Sequence, residues 1–284
     1  MKSFLIIVCF ALLSNFANAS EIKKTTFAYW DKPDVEILYI TPNAINENTE
    51  VIFVIHGNSR NADDYLSAWI PLVQNKNVII AAPNFDKKNF RYFFLLESAE
   101  SNGSINERSD SYINTSISLF FNYFKSRFAL NANTYKMFGH SAGAQFTHRY
   151  MLLSNDQRIS DTVIANAGWY TFLNGEQYPY GIKDTPIEIS SSHIRWFMSN
   201  KTSLLIGSID TNLNNVNSSA GAQKQGITRV DRADNYFKSL IDISDKKEIP
   251  FRWSYKVINN VGHDYQKMTP IAASILLQDI GNID

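Results

Sequence analysis

At 284 residues, with 44% hydrophobic and 19% charged residues, the chain has an ordinary globular composition and can bury a sizeable core. Its 27 basic and 27 acidic residues cancel to a formal charge of zero, which leaves no electrostatic case for nucleic acid or an anionic membrane as a partner. Its one cysteine, Cys9, lies so near the start that disulfide frameworks and thiolate metal sites are excluded as organising devices.

The first element is a targeting pattern. Lys2 precedes an apolar run from Phe4 to Leu13, followed by Ala17-Asn18-Ala19. A charge, a short apolar core and a small-residue cleavage site predict a signal peptide over 1–19, with the mature chain starting at Ser20. The run is too short to span a bilayer, which takes about 20 apolar residues, so no stable membrane insertion is expected. The protein is therefore expected to be secreted or periplasmic. Cleavage removes Cys9, which leaves serine, histidine and carboxylates to carry any chemistry.

Downstream, short β-rich runs alternate with helical patterns. "VEILYI" (35–40) reads as an early or edge strand. "VIFVIHG" (51–57) is a continuous apolar run ending in glycine, as in a strand buried on both faces. "NVIIAAP" (77–83), "TYKMFGHS" (134–141), "TVIANAG" (162–168), "TSLLIGS" (202–208) and "FRWSYKVI" (251–258) continue the series. Helices are predicted over 62–74, 109–128, 142–153, 220–241 and 270–278. In the second of these, Ile113, Ile117, Phe120, Phe121 and Phe124 recur at helical spacing. This alternation predicts an α/β fold, a mainly parallel central sheet with helices on both faces, in one domain over 20–284. Residues 169–200, rich in aromatics, form a possible cap-like insertion.

Ser141 stands between Gly139 and Gly143, after a predicted strand and before a predicted helix. A Gly-x-Ser-x-Gly match in that context predicts a sharp turn that presents the hydroxyl above the sheet. The free amide of Ala142, at the start of the helix, then points at the same spot as an oxyanion donor. A serine needs a base. Of five histidines, His263 follows the last strand at the sheet end where ligands bind. His56 suits a loop-shaping role, His140 adjoins the serine with its ring expected elsewhere, His148 lies mid-helix, and His193 has no positional argument. The base in turn needs a carboxylate. Asp210 directly follows a buried strand. Asp231 and Asp234 share a polar helical stretch with Arg229 and Arg232, where solvated ion pairing is the simpler account, and Asp264 is too close in sequence to reach around the ring. The loop from Asp210 to Asn217 alternates calcium-type oxygens, but it lacks the glycine and distal glutamate of a helix–loop–helix site, so no metal is expected.

The order Ser141, Asp210, His263 resembles that of the α/β-hydrolase fold, over about residues 51–264. The stretches "HGNSRNA", "GHSAGAQFTHRY" and "NAGWYTF" are similar to secreted bacterial esterases of the polyhydroxyalkanoate-depolymerase-like and feruloyl-esterase-like type. That resemblance implies a serine esterase without cofactors, with the amide of Asn58 as second oxyanion donor. Its substrate would be a small-molecule or polymeric ester, with Trp169 and Tyr170 as candidate substrate contacts. A polyester depolymerase, a serine peptidase and a non-catalytic binding protein are the alternatives. Since the base must be neutral, activity is expected to fall as pH drops through about 6 to 7.

Overall fold

Residues 21–282 are described by the structure, a computed structural model. The expected signal peptide over 1–19, with Cys9, lies outside the described residues.

Eight strands form one sheet in the order β1-β2-β4-β3-β5-β6-β7-β8. They are β1 (Lys23–Phe27), β2 (Val35–Ile40), β3 (Glu50–Ile55), β4 (Val78–Asn84), β5 (Tyr135–His140), β6 (Ile159–Ala165), β7 (Lys201–Gly207) and β8 (Trp253–Ile258). The β1–β2 and β2–β4 pairs are antiparallel, and every pair from β4 to β8 is parallel. The helices are α1 (Ala62–Ser67), α2 (Ser116–Phe128), α3 (Ala142–Leu153), α4 (Ser191–Ser199), α5 (Ala220–Gln223), α6 (Arg229–Lys247) and α7 (Tyr265–Leu276).

The apolar run of β3 explains the layering. Successive side chains of a strand point to opposite faces. Val51, Phe53 and Ile55 therefore join a core with Phe120 of α2, Phe146 of α3 and Tyr236 of α6. Ile52 and Val54 face the other way, onto Leu66, Trp69 and the α7 residues Met268 and Leu276. Both faces are covered, as the mainly parallel sheet requires.

Several element boundaries differ from the sequence expectation. β1, with an exposed and mostly polar surface, was not anticipated. The helix expected from Ser109 begins at Ser116, because Tyr112 is extended. The continuous helix expected over 220–241 is two helices, broken at Gly226 (φ 144°), where a Cβ would meet that of Asp231 at 2.6 Å. α6 restarts at Thr228, whose hydroxyl and the Asp231 carboxylate form a capping box. α7 begins five residues before Pro270, because Asp264 caps it by accepting from the amides of Gln266 and Lys267. Residues 169–200 contain no strand and one helix, α4, whose N-cap is Ser190. No helix among the described residues is long and apolar enough to cross a membrane.

Candidate active site

The turn between β5 and α3 is tight for reasons visible in its atoms. A Cβ on Gly139 would stand 2.3 Å from the Gly143 carbonyl oxygen, and one on Gly143 would stand 2.0 Å from the Ile55 carbonyl oxygen. Neither position tolerates a side chain, so both glycines answer a steric demand. Between them Ser141 takes φ 58° and ψ −120°, a conformation that disfavours L residues and stores strain at the top of the sheet. Its amide donates to the Ala165 carbonyl at 3.0 Å, which fastens the turn to β6.

Two loops meet this serine. The Nδ1–H of His263 donates to Asp210 Oδ2 at 2.8 Å, and its Nε2 accepts from Ser141 Oγ at 2.8 Å. Asp210 is buried, while the imidazole keeps 29% of its side-chain surface exposed. The structure thus brings together the three residues singled out in sequence. Asn166, buried at the end of β6 with φ 51°, helps hold their loops in register. Its Nδ2 donates to the Gly262 carbonyl at 2.8 Å, and its Oδ1 accepts from the Gly207 amide at 3.1 Å. One carboxamide therefore joins the loop carrying Asp210 to the loop carrying His263. Sequence reasoning missed it, although asparagine directly after a strand tolerates the left-handed region and is a signal for such a role.

The other histidines have separate duties. His140 is buried and accepts from the Tyr65 hydroxyl at 2.9 Å, with its ring 4.9 Å from that of His263. Burial, then the nearby His263 and Arg229, hold its pKa well below the usual histidine range, so it stays neutral. His56 donates from Nδ1 to the Gly57 carbonyl at 2.9 Å and accepts at Nε2 from the Phe85 amide at 3.0 Å. Those bonds shape the loop that carries Asn58, and burial pushes the His56 pKa down to about 4. His148 bridges the Ala144 carbonyl and the Thr171 amide inside the core, and His193 donates to the Met151 carbonyl.

Beside the serine opens a cavity of about 890 Å³, whose lining includes Asn58, Ala142, Trp169 and His263. Trp169 reaches it from above a buried arginine: the guanidinium of Arg149 lies 4.1 Å from the indole and donates to Thr171 Oγ1 and the Phe94 carbonyl. Tyr170 does not line the cavity. It is wholly buried, stacked at 4.3 Å on Tyr236.

Asp231 caps α6 and Asp234 pairs with Lys238 on its surface. Arg229 and Arg232, however, are not solvated. Both are buried, and Arg229 Nη1 contacts Asp210 Oδ1 at 3.2 Å, on the opposite side of the carboxylate from His263. Among the described residues no group of three or more His, Cys, Asp or Glu is placed to hold a metal ion.

No protein-family model and no curated protein sequence matches the chain. Solved structures do. Poly(aspartic acid) hydrolase-1 from Sphingomonas sp. KT-1 superposes with a TM-score of 0.82 at 28% identity, over 90% of this chain and 98% of that one. A poly(3-hydroxybutyrate) depolymerase from Bordetella parapertussis gives 0.82 at 24% identity, over 93% and 92%. A ferulic acid esterase shares the fold at a TM-score of 0.58 and 12% identity, over 91% and 98%. The fold is that of the α/β-hydrolase superfamily, and the likeness supports a hydrolase.

Proposed function

We propose that the protein is a secreted serine hydrolase that cleaves carboxylic esters through an acyl-enzyme. The observation that carries this reading is the pair of 2.8 Å contacts linking Ser141 Oγ, the His263 ring and Asp210. In the first step His263 Nε2 takes the hydroxyl proton as Ser141 Oγ attacks the ester carbonyl. Asp210, holding Nδ1–H, fixes the tautomer and stabilises the imidazolium. The amides of Ala142 and Asn58 receive the oxyanion, each worth about 3–4 kcal/mol of transition-state stabilisation. His263 then returns the proton to the leaving alcohol, which departs. A water, deprotonated by the same nitrogen, attacks the acyl-serine, and collapse of that adduct frees the acid and restores the serine.

Trp169 is the contribution of residues 169–200 to substrate binding on this reading, and the open cavity admits a small ester or the end of a polymer chain. The N-terminal pattern supports export. Likeness to a poly(aspartic acid) hydrolase makes amide cleavage the second reading.

A serine-directed fluorophosphonate followed by peptide mapping tests the assignment, with labelling expected at Ser141. Ser141→Ala is expected to lower kcat on p-nitrophenyl esters by about 10⁴-fold or more. Labelling elsewhere, or full activity in that variant, overturns the proposal. Turnover of amides and not esters would select the second reading.

A further inference from the structure

We infer that the loop from Asp210 to Ser218 is a recognition wall for an uncharged, hydrogen-bonding group flanking the scissile bond, held against the site by Arg229 and Arg232. The inference rests on the serine-hydrolase reading above and adds a substrate class to it.

The two arginines stand one turn apart at the start of α6, on the same face. Arg229 donates from Nη1 to Asp210 Oδ1 at 3.2 Å and to the Asn212 carbonyl at 3.1 Å, and from Nη2 to the carbonyls of Asn214 and Asn215 at 3.4 and 3.5 Å. Arg232 donates to the carbonyls of Asn217 and Gly168, both at 2.8 Å, and of Gly226 at 2.9 Å. The loop is thus gripped by its backbone oxygens.

Asn212, Asn214, Asn215 and Asn217 all line the cavity. Asn212 and Asn217 use only their side-chain oxygens locally, on the amides of Asn214 and Ser219, while the Asn214 and Asn215 carboxamides bond to no other described residue. The amide donors of these four lining residues therefore have no protein partner among the described residues.

A second observation comes from α3. Gln145, one turn beyond Ser141, is 8% exposed and lines the same cavity. Its Oε1 is buried without a hydrogen-bond partner, an expensive arrangement that rotation of the carboxamide toward a donor on a bound ligand would relieve. Wall and helix together offer both donors and acceptors.

Charge settles the class. Among the described residues, Arg229 is the only lysine or arginine in the lining, and its terminal nitrogens are engaged by Asp210 and three carbonyls. A carboxylate entering here is desolvated without a counter-charge, whereas a carboxamide or hydroxyl is satisfied.

The test compares isosteric esters differing in one terminal group: carboxamide, carboxylate and branched alkyl. On the acyl side these are p-nitrophenyl adipamate, hydrogen adipate and the alkyl isostere. On the alcohol side they are butyrates of glycolamide, glycolic acid and isobutanol. Each kcat/KM is normalised to the hydroxide rate and to sites titrated with fluorophosphonate. The expected result, on at least one side, is a preference for carboxamide over both analogues of about tenfold or more. Asn214→Ala and Gln145→Leu are each expected to reduce that ratio severalfold. Arg232→Lys, which keeps the charge but loses the fork, is expected to raise KM for the carboxamide ester selectively. Ratios within threefold on both sides, or a carboxylate or alkyl preference, overturn the inference while the hydrolase reading stands. Absence of labelling at Ser141 removes both.

Discussion

Asn166 adds a side-chain bridge between two loops that also bond directly, the Ile209 amide donating to the Val261 carbonyl at 3.1 Å and the Asn260 amide to Ser208 Oγ at 2.9 Å. Asn166→Gly keeps the left-handed backbone accessible and deletes only the bridge. The buried Gly207 amide and the Gly262 carbonyl then lose a partner, at a cost of about 1–3 kcal/mol. Because His263 follows Gly262 directly, kcat is expected to fall by about tenfold or more, beyond what the lower Tm explains. Steady-state kinetics below the melting transition measure this, and an unchanged kcat would mean that the loops hold themselves. At this scale, the convergence of Ser141, Asp210 and His263 was legible because each follows a strand. Arg229 and Arg232 were misread as solvated because their partners are backbone oxygens and, for Arg229, the distant Asp210 carboxylate, which no sequence pattern advertises, and Tyr170 was misread because aromatic identity does not say which way a ring points.

Helix α3 lies against β3 only because Gly143 lacks a side chain. Gly143→Ala would place a Cβ on the Ile55 carbonyl, an atom fixed within the central strand. Strand and helix must separate, so a loss of about 3 kcal/mol or more is expected, with lost activity, where glycine to alanine in an open helix stabilises by about 1 kcal/mol. Urea unfolding of the variant decides between those signs. The central strands were legible from apolar runs buried on both faces, and α3 matched its expected bounds of 142–153. Helix starts were less legible, since α6 and α7 are set by caps, Thr228 and Asp264, and apolar spacing alone ran α6 through Gly226. The polar edge strand β1 carries little hydrophobic signal at all.

Across the whole molecule, burial keeps His56, His140 and His148 neutral, with pKa values below the ordinary histidine value of 6.5. Unfolding releases all three to take up protons. Their contribution to stability is complete above about pH 6.5 and is lost as pH falls, for His56 down to about pH 4. Glu97 acts in the opposite sense: burial raises its pKa to about 7, so the folded state holds a proton there that the unfolded state releases above its ordinary value of 4.5. The histidines outnumber it. Net stability is therefore expected to fall as pH drops from about 6.5 toward 4.5. Thermal melts from pH 8 to pH 4.5 check this, and a flat Tm would mean that the rings are charged in place.

The hydroxyl and the imidazole lie 122 residues apart in the chain, and the imidazole and its carboxylate 53. All three belong to the β5–β8 flank, and strands β1 to β4 contribute none of them. Only the docking of the final strand and the loop behind it brings the ring over the hydroxyl. On the proposed reading, a nascent or clipped polypeptide ending before Trp253 lacks the imidazole and is expected to be chemically silent.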